Sequence, residues 1–136
     1  MKIAAIRRAH FNAAHRLHQP GLSDAENQQL FGPCNNPYFH GHNYELEVKV
    51  VGEIDAQTGF LIDLGLLRDI IKEEIEDRFD HKNLNLECPE FQSLNPTAEN
   101  IAVVIWGLLR KRLESRYELY VRLYETPRNF VEYPAG

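Results

Sequence analysis

The chain has 136 residues, 43% of them hydrophobic, which suits one globular domain with a real core, since domains commonly run about 100 to 150 residues. Its formal charge of −5, from 20 acidic and 15 basic residues without a long basic run, argues against nucleic acid as a partner. The apolar run before Arg7 and Arg8 is too short for a signal peptide and no later stretch suits a bilayer, so the expectation is a soluble cytoplasmic protein in which Cys34 and Cys88 are free thiols.

The first predicted strand runs from about Lys2 to Ala14, its alternation blurred by small alanines, and His15 ends it. The stretch "FGPCNNPYFHGHNYELEVKV", Phe31 to Val50, begins in turn-rich chain and finishes as a strand. There Tyr44, Leu46, Val48 and Val50 alternate with Glu45, Glu47 and Lys49, the period of a strand with one face buried. The first strand is expected to pair beside it. Asp63 can cap a helix whose apolar stripe is Leu64, Leu67, Ile71, Ile75 and Phe79, opposite a solvated face with Arg68, Lys72, Glu73 and Glu76. Asp80-His81 follows directly, and Cys88 falls in a loop before Pro89. A second helix is predicted from Asn95-Pro96-Thr97, with proline in the first turn and Asn95 or Thr97 as the cap; its stripe is Ile101, Val104, Ile105, Leu108 and Leu113. Tyr117, Leu119, Val121 and Leu123 then alternate with Glu118, Tyr120, Arg122 and Tyr124, and Thr126 to Asn129 reads as a turn into "FVEY", a C-terminal hairpin. The order β-β-α-α-β-β predicts an α+β domain with strands in antiparallel pairs and both helices on one sheet face, the other face being free for a site or a partner subunit.

His40 and His42 are two apart, so in extended chain their side chains leave the same face and can reach one ion. As a motif the pair is weak, and two surface histidines in a turn explain it equally well. A third ligand changes that weighting. His15 is the best placed, at the end of the strand expected beside Tyr44; His10 and His18 are poorer on position. Three neutral imidazoles would leave the double charge of a zinc ion intact and one coordination position open, the arrangement of catalytic sites. Cys34, between Pro33 and Asn35, lies in a turn where a thiol is readily exposed, against the alternative of a small buried hydrophobe. In Asp80-His81 the acid can fix the histidine's tautomer and raise its basicity. Glu125 ends its strand beside a turn, where a carboxylate either accepts two parallel hydrogen bonds from a planar donor edge or is simply solvated.

Taken together and in this order, "FNAAHRL", "LFGPCNNPYFHGHNYELEV", "DHKNLN", "PTAENIAVVIW" and "VRLYETPRN" resemble the 6-pyruvoyl-tetrahydropterin synthase family, which includes bacterial 6-carboxy-tetrahydropterin synthases. The likeness runs from Ile3 to about Tyr133. It implies a tunnelling fold, with a four-stranded antiparallel sheet and two helices, trimers that close their sheets into a barrel, and two trimers stacked as a hexamer with sites between subunits. It implies His15, His40 and His42 as zinc ligands, Cys34 as general base, Asp80 and His81 as the rest of a catalytic triad, Glu125 as the pterin anchor and Thr97 as a further substrate contact. The implied substrate is 7,8-dihydroneopterin triphosphate, whose triphosphate would draw on Arg7, Arg8, Arg16, Lys82 or Arg128. The implied product is 6-pyruvoyl-tetrahydropterin, with 6-carboxy-tetrahydropterin of the queuosine pathway as the alternative. The step from Cys34 to His40 looks like that of the animal pyruvoyl-forming enzymes, whereas many bacterial members place the cysteine closer. Asn12 stands where many members have serine, a change expected to touch only a contact behind the site. More distant readings are a Cys34-His81-Asp80 hydrolase, to which nothing assigns an oxyanion hole, and a non-catalytic pterin- or zinc-binding module.

Overall fold

The computed structural model describes residues 1–136. Its frame is a pair of long strands, β1 (Lys2–His15) and β2 (His40–Glu53), antiparallel in unbroken register from Lys2 opposite Glu53 to His15 opposite His40. Residues directly opposite one another share a sheet face, so Phe11, Ala13 and His15 lie on the same side as Tyr44, His42 and His40. On that side Phe11, Tyr44, Leu46, Val48 and Val50 are buried, while Glu45 and Lys49 on the other are exposed. The alternation read from the sequence is therefore the alternation of core and solvent.

Two further strands extend this frame on the β2 side. Glu118–Tyr124 (β4) pairs antiparallel with β2, and Phe130–Tyr133 (β5) folds back on it as the expected C-terminal hairpin. On the other edge Lys82–Asn83 (β3) pairs in parallel with Ala13 and Ala14, giving the order β3-β1-β2-β4-β5. The sheet is thus five-stranded and mixed rather than four-stranded and antiparallel. A two-residue strand has no alternation to read; it is held because the His81 amide just before it donates to the Asn12 carbonyl at 2.6 Å.

The helices cover the apolar face, as the period predicts. Helix α2 (Leu64–Ile71) is capped by Asp63, whose carboxylate accepts from the Gly65 amide, and it continues through a π-helical turn, Lys72–Glu76, into α3 (Asp77–Phe79). Its buried residues are Leu67, Ile70, Ile71, Ile75 and Phe79; Leu64, expected in the stripe, is exposed in the first turn, at an open cavity that it lines with Ile3, Ala4 and Ala5 of β1. Helix α5 (Ala98–Arg110) is capped by Thr97, whose hydroxyl accepts from the Asn100 amide at 3.1 Å, and Pro96 sits just ahead of that cap rather than in the first turn. Two helices had no apolar signal. Helix α1 (Asp24–Phe31) buries only Asn27, and its start is a reciprocal cap between Ser23 and Glu26; α4 (Leu84–Glu87) is one turn capped by Asn83. Where the helices meet the sheet, Phe11 stacks on Tyr44 at 5.0 Å, and Phe79 and Phe91 complete an aromatic cluster next to the histidine end of β2. No helix is long and apolar enough to cross a membrane.

Candidate active site

The β1–β2 register fixes the site. It sets His15 opposite His40 and Ala13 opposite His42, so three imidazoles leave one face at one end of the ladder. One ligand nitrogen from each lies within 4.8 Å of the others, with ring centroids 4.6 to 5.1 Å apart. His15 is fully buried, and its Nδ1–H donates to the Pro96 carbonyl at 2.8 Å, leaving Nε2 to face His40 Nε2 at 3.0 Å. Burial lowers the His15 pKa to about 4, and the neighbouring imidazoles push it the same way; His40 is lowered too, by burial first and then by His42. His15 is therefore neutral at physiological pH. Buried nitrogens His42 Nε2 and His40 Nδ1 have no hydrogen-bond partner in the chain. Unpartnered buried nitrogens beside a neutral imidazole fit a cation-binding site, and the all-imidazole donor set suits zinc.

Cys34 is carried to this cluster by a 3₁₀ turn, Gly32–Asn35, pinned against the chain that leaves β1. The Leu17 amide donates to the Cys34 carbonyl at 2.8 Å, the Asn35 amide group donates to Leu17 O at 2.8 Å and to His18 Nδ1 at 3.0 Å, and Arg16 Nε donates to Asn35 O at 2.9 Å. The thiol is partly buried, which raises its pKa, and the Glu125 carboxylate raises it further. Glu125 arrives from the end of β4, where its amide donates to the Asn129 carbonyl at 3.0 Å across the hairpin turn, and its carboxylate stands 4.0 Å from His42 Nε2. Burial also holds the Tyr44 phenol well above its usual pKa, with Glu125 and Cys34 adding to the effect. Thus His15, His40, His42, Cys34, Glu125 and Tyr44 converge on one end of the sheet.

The match to known proteins covers nearly the whole chain: a family model described as 6-pyruvoyl tetrahydropterin synthase fits residues 5–135. The chain belongs to that family. Among curated relatives, the 6-pyruvoyl tetrahydrobiopterin synthase of Homo sapiens is 47% identical over 93% of this chain and 88% of its own length. That of Drosophila melanogaster is 46% identical over 93% of this chain and 76% of its own length. The 6-carboxy-5,6,7,8-tetrahydropterin synthase of Rickettsia conorii is 31% identical over 96% of this chain and 99% of its own length. The solved structure of the Caenorhabditis elegans 6-pyruvoyl tetrahydropterin synthase superposes with a TM-score of 0.93 at 37% identity, covering 100% of this chain and 97% of that one.

Within this family member His81 lines a cavity with His42, Asn12 and Lys82, but no hydrogen bond joins the Asp80–His81 pair to the three imidazoles. Asp80 Oδ1 accepts from the Asn12 amide at 2.8 Å, which holds its carboxyl below the usual range, and Oδ2 meets His81 Nδ1 at 3.0 Å. His81 adopts a left-handed backbone, φ 61°, and its side chain is 79% exposed. No hydrogen bond or ion pair joins it to Cys34 within the chain. Thr97 caps α5 one residue after Pro96, the carbonyl acceptor for His15, and its hydroxyl accepts from the Asn100 amide. Three contributors carried no signal as site residues: the Pro96 carbonyl, the Asn35 amide and the Tyr44 hydroxyl. Tyr44 was legible only as a buried strand residue.

Proposed function

We propose that the chain is a zinc-dependent lyase that converts 7,8-dihydroneopterin triphosphate to 6-pyruvoyl-tetrahydropterin with elimination of triphosphate. One observation carries the reading: three imidazoles within 4.8 Å of one another beside a thiol and a carboxylate, in a chain 46% to 47% identical to proteins named 6-pyruvoyl tetrahydrobiopterin synthase. His15, His40 and His42 would hold zinc, which when bound supplies a Lewis acid for the substrate's side-chain oxygens.

The remaining work falls to the chain's own residues. A pterin presents an amino group and a ring N–H side by side, and the Glu125 carboxylate can accept both, which orients the substrate side chain toward the histidines. Cys34 takes the carbon-bound proton. At rest its thiol is kept protonated by burial and by Glu125; once the pterin's N–H groups satisfy that carboxylate, its field on the sulfur weakens and the thiolate forms more readily. Asp80 holds the Nδ1 side of His81, freeing Nε2 to move a proton. Proton removal at one carbon and return at its neighbour let triphosphate leave and the side chain tautomerise. No hydrogen bond or ion pair joins Cys34 to His81 within the chain, and in this reading a neighbouring subunit of a trimer-based hexamer brings the two together. Thr97 offers its hydroxyl proton to the substrate while its oxygen accepts from the Asn100 amide, and Arg16, tied to Asn35 beside Cys34, is one cation for the phosphates, with Lys82 in the cavity beside His42 another. A reducing cytoplasm would keep Cys34 and Cys88 as the free thiols they are here.

The 6-carboxy product is the second reading, supported by the likeness to the Rickettsia relative at 31% identity. Incubating zinc-loaded protein with 7,8-dihydroneopterin triphosphate and weighing the pterin by mass spectrometry separates them. The pyruvoyl mass is expected, the carboxy mass transfers the protein to the second reading, and unchanged substrate defeats both.

A further inference from the structure

Tyr44 is a buried phenol that the reaction above leaves without a task. Its ring fills core volume, 5.0 Å from Phe11 and 5.6 Å from His42, and a phenylalanine would fill that volume as well. The hydroxyl is different. It reaches to 3.4 Å from His15 Nδ1, the nitrogen that also lies 2.8 Å from the Pro96 carbonyl. A carbonyl can only accept, so Nδ1 carries the ring's proton, and the Tyr44 oxygen is its second acceptor in a three-centre bond. The two acceptors come from different elements, one from the entry to α5 and one from β2. Together they oppose both rotation of the ring and transfer of its proton to Nε2.

We infer that Tyr44 is a positioning residue whose hydroxyl, with the Pro96 carbonyl, clamps the His15 imidazole in the Nδ1–H tautomer and keeps its Nε2 lone pair aimed into the three-histidine centre. The inference rests on the metal centre proposed above and adds a residue to it. Partners of this kind behind a metal-bound histidine set ring orientation and ligand basicity, and losing one typically weakens metal binding about 10- to 100-fold.

The test compares metal-stripped wild type with Tyr44→Phe, which removes one oxygen and leaves the ring. Competition against a chromophoric chelator should show zinc binding weakened at least about tenfold in the variant, and the ligand-field bands of the cobalt-substituted protein should shift. Unchanged affinity overturns the inference, whatever happens to stability, because a purely packing tyrosine would leave zinc binding and the bands alone. A second measurement needs no variant. In ¹⁵N-edited imidazole spectra of the metal-free wild type, His15 should carry its proton on Nδ1, and a proton on Nε2 overturns the inference. Wild type that takes up no metal defeats the metal centre and this inference together; wild type and Tyr44→Phe that bind equally well defeat this inference alone.

Discussion

The buried His15 makes the metal-free protein sensitive to acid in a way that can be worked out in advance. Its pKa is 6.5 in an unfolded chain and about 4 in the fold, lowered first by burial. Between those values the unfolded state binds a proton that the native state refuses, so stability rises with pH through this window and is level above it. The full interval corresponds to about 3 kcal/mol, at about 1.4 kcal/mol per tenfold, and about 2 kcal/mol of it is lost by about pH 5. Carboxylates titrate in the same region, so the assay is a difference. Urea unfolding of chelator-stripped wild type and His15→Asn, at about pH 7.5 and about pH 5, isolates the one histidine. Asparagine places an amide N–H where Nδ1–H stood and cannot titrate. Wild type should lose about 2 kcal/mol more than the variant over that span, a large fraction of a small domain's stability. Equal losses in the two proteins would refute the claim that His15 is buried neutral.

Other consequences concern the site. Cys34→Ala should lower turnover by about 10²- to 10⁴-fold while metal analysis finds zinc retained, because the thiol is assigned to proton transfer and the ligands are histidines. Glu125→Gln removes the negative charge that raises the Cys34 thiol, so the pH midpoint for alkylation of Cys34 by iodoacetamide should fall; a midpoint that rises or stays put would remove Glu125 from the thiol's surroundings. If active sites draw Cys34 and His81 from different subunits, Cys34→Ala and His81→Ala should each be inactive alone, yet a refolded equal mixture should recover about a quarter of the sites. Recovery of no activity would place both residues in one subunit's site.

How much of this was legible depended on whether the signal was local. β2 was readable because alternation is written every second residue, and His40 and His42 shared a face for the same reason. His15 followed from pairing two strands, which needs only that their ends meet. The Pro96 carbonyl could not be read that way: it lies 81 residues from His15 and contributes a backbone atom, which leaves no mark in side-chain pattern. β3 was hidden because two residues have no period, and its position depends on a backbone bond from His81 to Asn12. Helix α1 was hidden because its surface is polar almost all round, and its one local mark, the Ser23–Glu26 cap, went unread. Leu64 was misjudged because a stripe gives the direction of a side chain but not how closely the neighbouring strand packs on it: Leu64 borders an open cavity beside Ile3, Ala4 and Ala5. Asp80-His81 was visible as a dipeptide, whereas the left-handed turn that aims the imidazole outward was not.

The unbroken ladder from Lys2–Glu53 to His15–His40 also works as a ruler. Inserting or deleting one residue within either strand would turn the histidines beyond it to the opposite face and dissolve the cluster. The chain from Arg16 to Phe39, which carries Cys34, lies outside the ladder and can change length without moving any of the three histidines. Lengthening or shortening that loop would shift the proposed base relative to the three fixed histidines. A scaffold divided in this way lets Cys34 change position with loop length while the three histidines stay where the strands put them.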